Sequence, residues 1–305
     1  MVQYTPTEKE KISEMLMQGF NDSGFDSLSK FAKSVDLISA DMTNIKDRKF
    51  VGNPSLVGDN KWIKLARIVR FDRRKTTEWK TANTDVFQYV WKQLETCQNE
   101  SITAILCDDA GIGKTYTAEI FAKKNKYAFH IDCCASPGKA SFVRAIAQAV
   151  GVGRYGKLNE LIDDSVYALS QMENPILILD EAGDLEHNAI MILKRLYNAL
   201  KGVCGFYLIG ADGMKKKINN GIINEKLGFI EIFSRFGKSY KSVLPKLPVH
   251  KQKVIIEMAE QIAEANGLNS KEIEDLKDIM VEDKTLHDMR KAERFIKVKL
   301  LKRVA

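Results

Sequence analysis

The chain has 305 residues, which is enough for a full hydrophobic core and for more than one domain. Hydrophobic residues make up 45% of it and charged residues 29%, a balance typical of globular proteins, and its apolar runs are too short to span a membrane. The net charge of +7 is compatible with nucleic acid binding but does not establish it. Five cysteines without a C-x-x-C pair and four scattered histidines indicate reduced thiols and no zinc site, so we expect a cytoplasmic protein.

The first predicted unit, residues 1–75, is helical. The stretch SLSKFAKSVDLISADMTNIKDRKF (27–50) spaces its apolar residues like two short helices joined by a tight turn at Asp36. This pattern favours a helix-turn-helix, whose second helix, Ser39 to Lys49, would enter a DNA groove. A small helical bundle with a solvated polar face explains the same pattern. Downstream, KWIKLARIVRFDRRK (61–75) predicts a helix followed by a basic linker that could follow phosphates.

A nucleotide site is predicted in the second unit, residues 76–243. The stretch CDDAGIGKTYTAEIF lies between a predicted strand, ITAILC (102–107), and a predicted helix, TYTAEIFAKKN (115–125). It follows the phosphate-loop pattern G-x-x-x-x-G-K-[ST], except that Asp108 stands at the first glycine. Aspartate tolerates the unusual backbone angles of a turn, so we expect the substitution to cost little.

Each part of this loop has a chemical reason. Its glycines let backbone N–H groups face phosphate oxygens, and the helix that follows points its positive dipole end to the same place. Lys114 is predicted to contact the β- and γ-phosphates of ATP, and the Thr115 hydroxyl is predicted to hold Mg²⁺. The loop residues predicted to bind the nucleotide are Ala110, Gly111, Ile112, Gly113, Lys114, Thr115 and Tyr116.

The second half of the site is predicted in PILILDEAGDL (175–185). Four apolar residues form a buried parallel strand that ends in Asp180 and Glu181. Ligands of doubly wound sheets bind at the carboxyl ends of the strands. We therefore predict that Asp180 helps to hold Mg²⁺ and that Glu181 orients and polarises the water that attacks ATP.

The rest of the chain predicts the architecture. Further strands, YAFHIDC (127–133) and CGFYLIGADG (204–213), alternate with helices, so we predict an α/β fold with a largely parallel sheet. Pro245 and Pro248 indicate a linker to a C-terminal helical domain, residues 244–305.

The order of glycine loop, DE strand, LIGAD strand, FSR segment and helical tail resembles the AAA+ ATPases. The resemblance implies a P-loop core with a C-terminal helical lid and ATP between neighbouring subunits. It implies that Asp212 is the polar residue at the strand end, although Ala211 occupies the aligned position. It also implies that Arg235, in EIFSRFG, reaches into a neighbour's site. Arg290, in HDMRKAERF, would be the lid arginine that contacts the nucleotide, with His287 in place of the family's glycine.

More narrowly, the chain resembles the B proteins of Mu-like transposable phages. That resemblance implies an ATP-hydrolysing protein that assembles as a filament or ring on double-stranded DNA, with little sequence preference, and delivers target DNA to a transposase. Candidate DNA contacts are basic residues after two predicted strands: Lys139, Arg144, Lys215, Lys216 and Lys217. For each of these basic groups, a solvated surface is the simpler interpretation.

Two other functions fit the same motifs. A helicase loader or replication-initiation ATPase shares the core and differs in its partner. A nucleotide-gated transcription regulator would use the helix-turn-helix to read one operator, and it predicts sequence-specific binding.

Overall fold

The computed structural model describes residues 3–69, 71, 79–282 and 288–304. Within the described part of the N-terminal unit there are five α-helices: α1 (Pro6–Asp22), α2 (Leu28–Ser34), α3 (Ser39–Lys46), α4 (Lys49–Gly52) and α5 (Asp59–Ile68). Helix α1 begins with a capping box, in which the Thr5 side chain accepts from the backbone of Glu8 and the Glu8 side chain accepts from the backbone of Thr5. The helices enclose a small core of their own around the fully buried Trp62.

The predicted pair of short helices is present, with a shorter second helix than expected. Asp36 forms the turn in a left-handed conformation (φ 54°), and both its carbonyl and its carboxylate bind Lys64. The prediction of one helix from Ser39 to Lys49 is wrong, because Arg48 is also left-handed (φ 54°) and ends α3 before α4 begins. The predicted basic linker lies largely outside the described residues, as does the boundary at residues 75 and 76.

The central unit is a parallel sheet between helices, which confirms the predicted fold class. Its helices are α6 (Asp85–Asn99), α7 (Lys114–Lys124), α8 (Lys139–Ala149), α9 (Leu158–Ser170), α10 (His187–Leu200), α11 (Asp212–Ile223) and α12 (Phe229–Arg235). Its strands are β1 (Thr103–Cys107), β2 (Ala128–Asp132), β3 (Ile176–Asp180) and β4 (Gly205–Gly210). The strand order is β1-β4-β3-β2, and every pairing is parallel.

The strand register aligns the carboxyl ends of the strands. Cys107 of β1 lies opposite Gly210 of β4, and Asp132 of β2 lies opposite Asp180 of β3. Strands β3 and β4 are buried throughout because they lie in the middle of the sheet. Strand β4 ends at Gly210, so the predicted strand over 204–213 is too long: Ala211 is the N-cap of α11 and Asp212 is its first residue.

Three further helices follow the core: α13 (Pro248–Ala265), α14 (Ser270–Glu282) and α15 (Met289–Val304). Their apolar faces share one core with α6, α7 and one face of the sheet. The Asn266 side chain fixes this lid to the segment before α6, because it accepts from the Lys80 N–H at 2.9 Å and donates to the Lys80 carbonyl at 3.0 Å. The N-terminal unit instead contacts α8, where the Gln148 side chain donates to the Ser34 carbonyl at 2.8 Å.

Candidate nucleotide-binding site

The phosphate-loop sequence forms a turn between β1 and α7. Gly111 (φ 75°) and Gly113 (φ 97°) both adopt backbone angles that favour glycine, and Gly113 caps α7. At Gly111 an added Cβ would clash with the Asp288 carboxylate, so that side chain would have to move. The loop therefore has the backbone shape that turns N–H groups and a helix N-terminus towards one point.

Lys114 lies inside this turn and is 7% exposed. Its ammonium group donates to the carbonyl oxygens of Asp108 at 2.9 Å and Asp109 at 2.5 Å. Burial lowers the pKa of Lys114, and nearby carboxylates oppose this shift without cancelling it: Asp108, Glu181, Asp180 and Asp109. The ammonium group is therefore surrounded by oxygen atoms, and phosphate oxygens could replace the two carbonyl groups as its partners.

At the first glycine position of the pattern, Asp108 turns its carboxylate away from the loop interior. The carboxylate accepts three hydrogen bonds from residues 242–244, in the connection that leads to the lid. The next residue, Asp109, pairs with Lys251 of α13 at 2.7 Å. These contacts account for the presence of two acidic residues in the phosphate loop.

The end of β3 brings Asp180 against the loop. The Thr115 hydroxyl donates to its carboxylate, and His130 lies 3.2 Å from the other side of the same group. Burial raises the pKa of Asp180, but the hydrogen bonds from His130, Thr115 and the Glu181 N–H outweigh burial and hold the pKa below its ordinary value. A hydroxyl and an ionised carboxylate in contact are hard oxygen ligands, and they fit a Mg²⁺ ion that also binds phosphate.

Glu181 follows in a left-handed conformation (φ 48°), which turns the chain sharply after the strand. Its pKa is raised, first by burial and then by the charge of Asp180, while Lys114 and Arg290 lower it. The side chain faces the same cavity as the loop. It is therefore placed to act on a water molecule beside a bound nucleotide.

The cavity has a volume of about 550 Å³, which is within the range of small-molecule sites. Of the loop residues predicted to bind nucleotide, all seven line it, together with Glu181 and Arg290. The lining also includes apolar residues that the sequence did not identify: Trp79, Phe87, Met258 and Ile262. Polar loop residues and large apolar side chains thus line the same cavity, which suits a phosphate chain attached to a flat ring.

Three other predicted site residues are not part of this cavity lining: Asp180, which contacts the lining residue Thr115, and Asp212 and Arg235. Asp212 is exposed at the start of α11. Arg235 ends α12 with its guanidinium 5.7 Å from the centre of the Tyr197 ring, and its Nη1 is buried without a hydrogen-bond partner among the described residues. Glu231, four residues before Arg235 on the same helix, binds Lys194 at 2.8 Å instead of Arg235.

The candidate DNA contacts fall into two groups. Lys139 and Lys216 are exposed, Lys215 is exposed beside the Tyr240 ring, and Arg144 lines a groove along α8. Lys217 instead points inward: its ammonium group donates to the carbonyls of Gly183 and Leu185, each at 2.7 Å. Lys217 therefore holds the turn that follows Glu181, and its engagement there argues against its prediction as a DNA contact.

The parallel sheet, the phosphate-type loop after β1 and the helices before and after this core together have the AAA+ P-loop fold. Residues 98–218 match the family model described as an AAA domain. A similar solved structure is that of the Orc1 protein of Aeropyrum pernix in complex with DNA, at 17% identity and a TM-score of 0.51. The similarity covers 75% of this chain and 62% of the Orc1 chain, and at this identity it shows the fold alone.

No curated protein matches the chain. Across the described ranges, no helix is both long and apolar enough to cross a membrane. Among the same residues, no group of three or more His, Cys, Asp or Glu side chains could hold a metal ion.

Replacing Lys114 with alanine should weaken ATP binding. Hydrogen bonds to charged groups contribute about 1.5–3 kcal/mol, so we expect affinity to fall about 10- to 100-fold. Titration with a fluorescent ATP analogue measures this loss. The matched control is Lys123→Ala, on the exposed side of the same helix. Normal ATP affinity in Lys114→Ala would show that the loop does not bind phosphate.

Replacing Glu181 with glutamine should separate binding from turnover. The amide keeps the shape of the side chain but cannot accept a proton from water, so turnover should fall about 100-fold or more while ATP binding is retained. Steady-state phosphate release measures turnover, with the exposed Glu173→Gln as control. Unchanged turnover would mean that another group activates the water.

Proposed function

We propose that this protein is an ATP-dependent, DNA-binding AAA+ ATPase. One observation carries the proposal: the loop of Lys114 and Thr115, Glu181 after β3 and the lid residue Arg290 line one cavity of suitable size, and Asp180 contacts Thr115. These groups come from three separate parts of the chain. Their convergence has the pattern expected of a site for a nucleoside triphosphate.

Each residue has a defined role in this proposal. Lys114 and the N–H groups at the start of α7 neutralise charge on the β- and γ-phosphates. Thr115 and Asp180 would hold Mg²⁺, which shields phosphate charge as the terminal phosphoryl group is transferred. Glu181 hydrogen-bonds the attacking water and polarises it, and Arg290 contributes positive charge from the lid side of the cavity.

We further propose that two copies of the chain share each ATP. Arg235 lies outside the lining of its own cavity and has a buried, unpaired Nη1. Such a group is costly unless it gains a partner. If the Arg235 side chain turns outward from Tyr197, its guanidinium could contact the γ-phosphate of a neighbour's ATP. An arginine in this role can accelerate hydrolysis about 10³-fold or more.

This arrangement predicts complementation between two inactive variants. Arg235→Ala keeps an intact loop, and Lys114→Ala keeps an intact arginine. Mixed on DNA, the two variants should recover part of the ATPase activity, because some interfaces then contain both intact halves. Phosphate release from the mixture, compared with each variant alone, measures the recovery. Full activity of Arg235→Ala alone would mean that one subunit hydrolyses ATP unaided.

We propose that the DNA partner is a duplex bound mainly through its phosphates. Lys139, Lys215 and Lys216 are exposed, and so are Thr43 and Lys46 on α3 of the N-terminal unit. The resemblance to the phage B proteins supports delivery of target DNA to a transposase by an oligomer on DNA. A role in replication initiation is the second candidate, since the solved Orc1 protein with the similar fold is described in complex with DNA. Pull-down of a transposase or of a helicase discriminates between the two.

Phosphate contacts predict a specific salt dependence. Lys139→Ala and Lys216→Ala should each weaken binding to random duplex DNA and reduce the slope of log K against log salt by about one. Lys253→Ala, whose ammonium faces Glu257 on α13, is the control. Gel shifts on random and selected duplexes at several salt concentrations measure both effects. Strong preference for one duplex would instead support an operator-binding regulator.

A further inference from the structure

We propose that Asp108 is a positioning residue that couples the phosphate loop to the chain entering the lid, so that ATP in the cavity fixes the lid against the core. The inference deepens the proposed function and rests on it for the identity of the nucleotide. Asp108 does not touch the cavity, so its effect would pass through the residues that it holds.

The Asp108 carboxylate is an anchor for residues 242–244. One oxygen accepts from the backbone N–H groups of Val243 at 2.5 Å and Leu244 at 3.0 Å, and from the Ser242 hydroxyl at 3.0 Å. The other oxygen accepts from the Asp109 N–H at 2.8 Å. Asp108 is 5% exposed, so water does not readily replace it as the acceptor.

The anchored segment is the last part of the core before the lid. Lys241 still pairs with β1, since its N–H donates to Ile105 at 2.8 Å and its carbonyl accepts from Cys107 at 2.9 Å. Helix α13 of the lid begins at Pro248. The carboxylate of Asp108 therefore sets the direction in which the chain leaves the sheet.

The backbone carbonyls of Asp108 and Asp109 face the side of the loop on which the nucleotide would bind. Lys114 bonds the carbonyl oxygens of Asp108 and Asp109. A triphosphate in the loop would compete for the ammonium group and free these carbonyls. The peptide between Asp108 and Asp109 would then shift. The Asp108 carboxylate, which binds residues 242–244, would transmit this shift to them.

The lid contacts the loop at two further points. The Asp109 carboxylate pairs with Lys251 in the first turns of α13. At the start of the last lid helix, the Met289 N–H of α15 donates to the Gly111 carbonyl at 3.0 Å. The first and the last helix of the lid thus both contact the loop, and Asp108 is the buried residue that attaches the loop to the chain entering the lid. The glycine of the usual pattern has no side chain and could not make this link.

Amide hydrogen exchange tests the coupling. In the parent protein, a non-hydrolysable ATP analogue with Mg²⁺ should slow exchange in residues 242–251. In Asp108→Gly, exchange at Val243 and Leu244 without nucleotide should be about tenfold faster, the equivalent of one or two lost hydrogen bonds. The analogue should still bind, about tenfold more weakly, but should no longer protect residues 242–251.

Matched variants separate coupling from a merely structural role. Asp108→Asn retains one carbonyl oxygen for residues 242–244, so it should restore most of the nucleotide-dependent protection. Asp163→Asn removes an exposed carboxylate that pairs with Arg195 and should behave as the parent. If Asp108→Gly does not fold, Ser242→Ala carries the test, because loss of one donor should still reduce the protection.

The outcomes are distinguishable. Equal nucleotide-dependent protection in the parent and in Asp108→Gly overturns the coupling and leaves the proposed ATPase intact. An analogue that binds the parent without protecting residues 242–251 also overturns the coupling alone. A parent protein that binds no ATP overturns the proposed function, and the coupling is lost with it.

Discussion

The parallel pairing of β1, β4 and β3 is the constraint on which the site depends. Because the strands run in the same direction and in aligned register, the loop after Cys107 and the acids after Leu179 emerge at one edge of the sheet. Lys114 and Asp180 are far apart in the sequence, and only the pairing of the strands brings them close to each other. A buried apolar sheet thus fixes the positions of charged groups that could not hold one another in place in water.

The charge balance of the site follows from this placement. One buried lysine faces four carboxylates, and burial lowers its pKa while those carboxylates oppose the shift. Two of them are occupied elsewhere: Asp108 binds the connection to the lid, and Asp109 binds Lys251. The remaining two, Asp180 and Glu181, have pKa values shifted in opposite directions. This difference suits one carboxylate to holding a cation and the other to exchanging a proton.

Local sequence patterns predicted those features of the fold that are determined by neighbouring residues, namely the strands and the phosphate loop. The strands and the loop were located to within about a residue or two, apart from the last strand, because apolar runs and glycines determine them directly. The apolar wall of the cavity could not be predicted, since Trp79 and Met258 meet only through tertiary packing. The partners of the Asp108 carboxylate in residues 242–244 are more than 130 residues away in the chain. The inward orientation of Lys217 could have been predicted from the sequence. Lys217 follows the buried Met214 by three residues and therefore lies on the same, inner face of its helix.

The two outer strands of the sheet bear on how copies of the chain can associate. Beside β1, the Lys241 backbone already occupies donor and acceptor groups of Ile105 and Cys107. Beside β2, the N-terminal unit contacts both α7 and α8, and the Gly24 backbone packs against the Lys126 side chain. The β1 margin therefore offers no long open row of backbone groups to a strand from another molecule. Strand addition at β1 is disfavoured, and association of copies on that side would use helix and loop surfaces, which can be reversed without rebuilding a sheet.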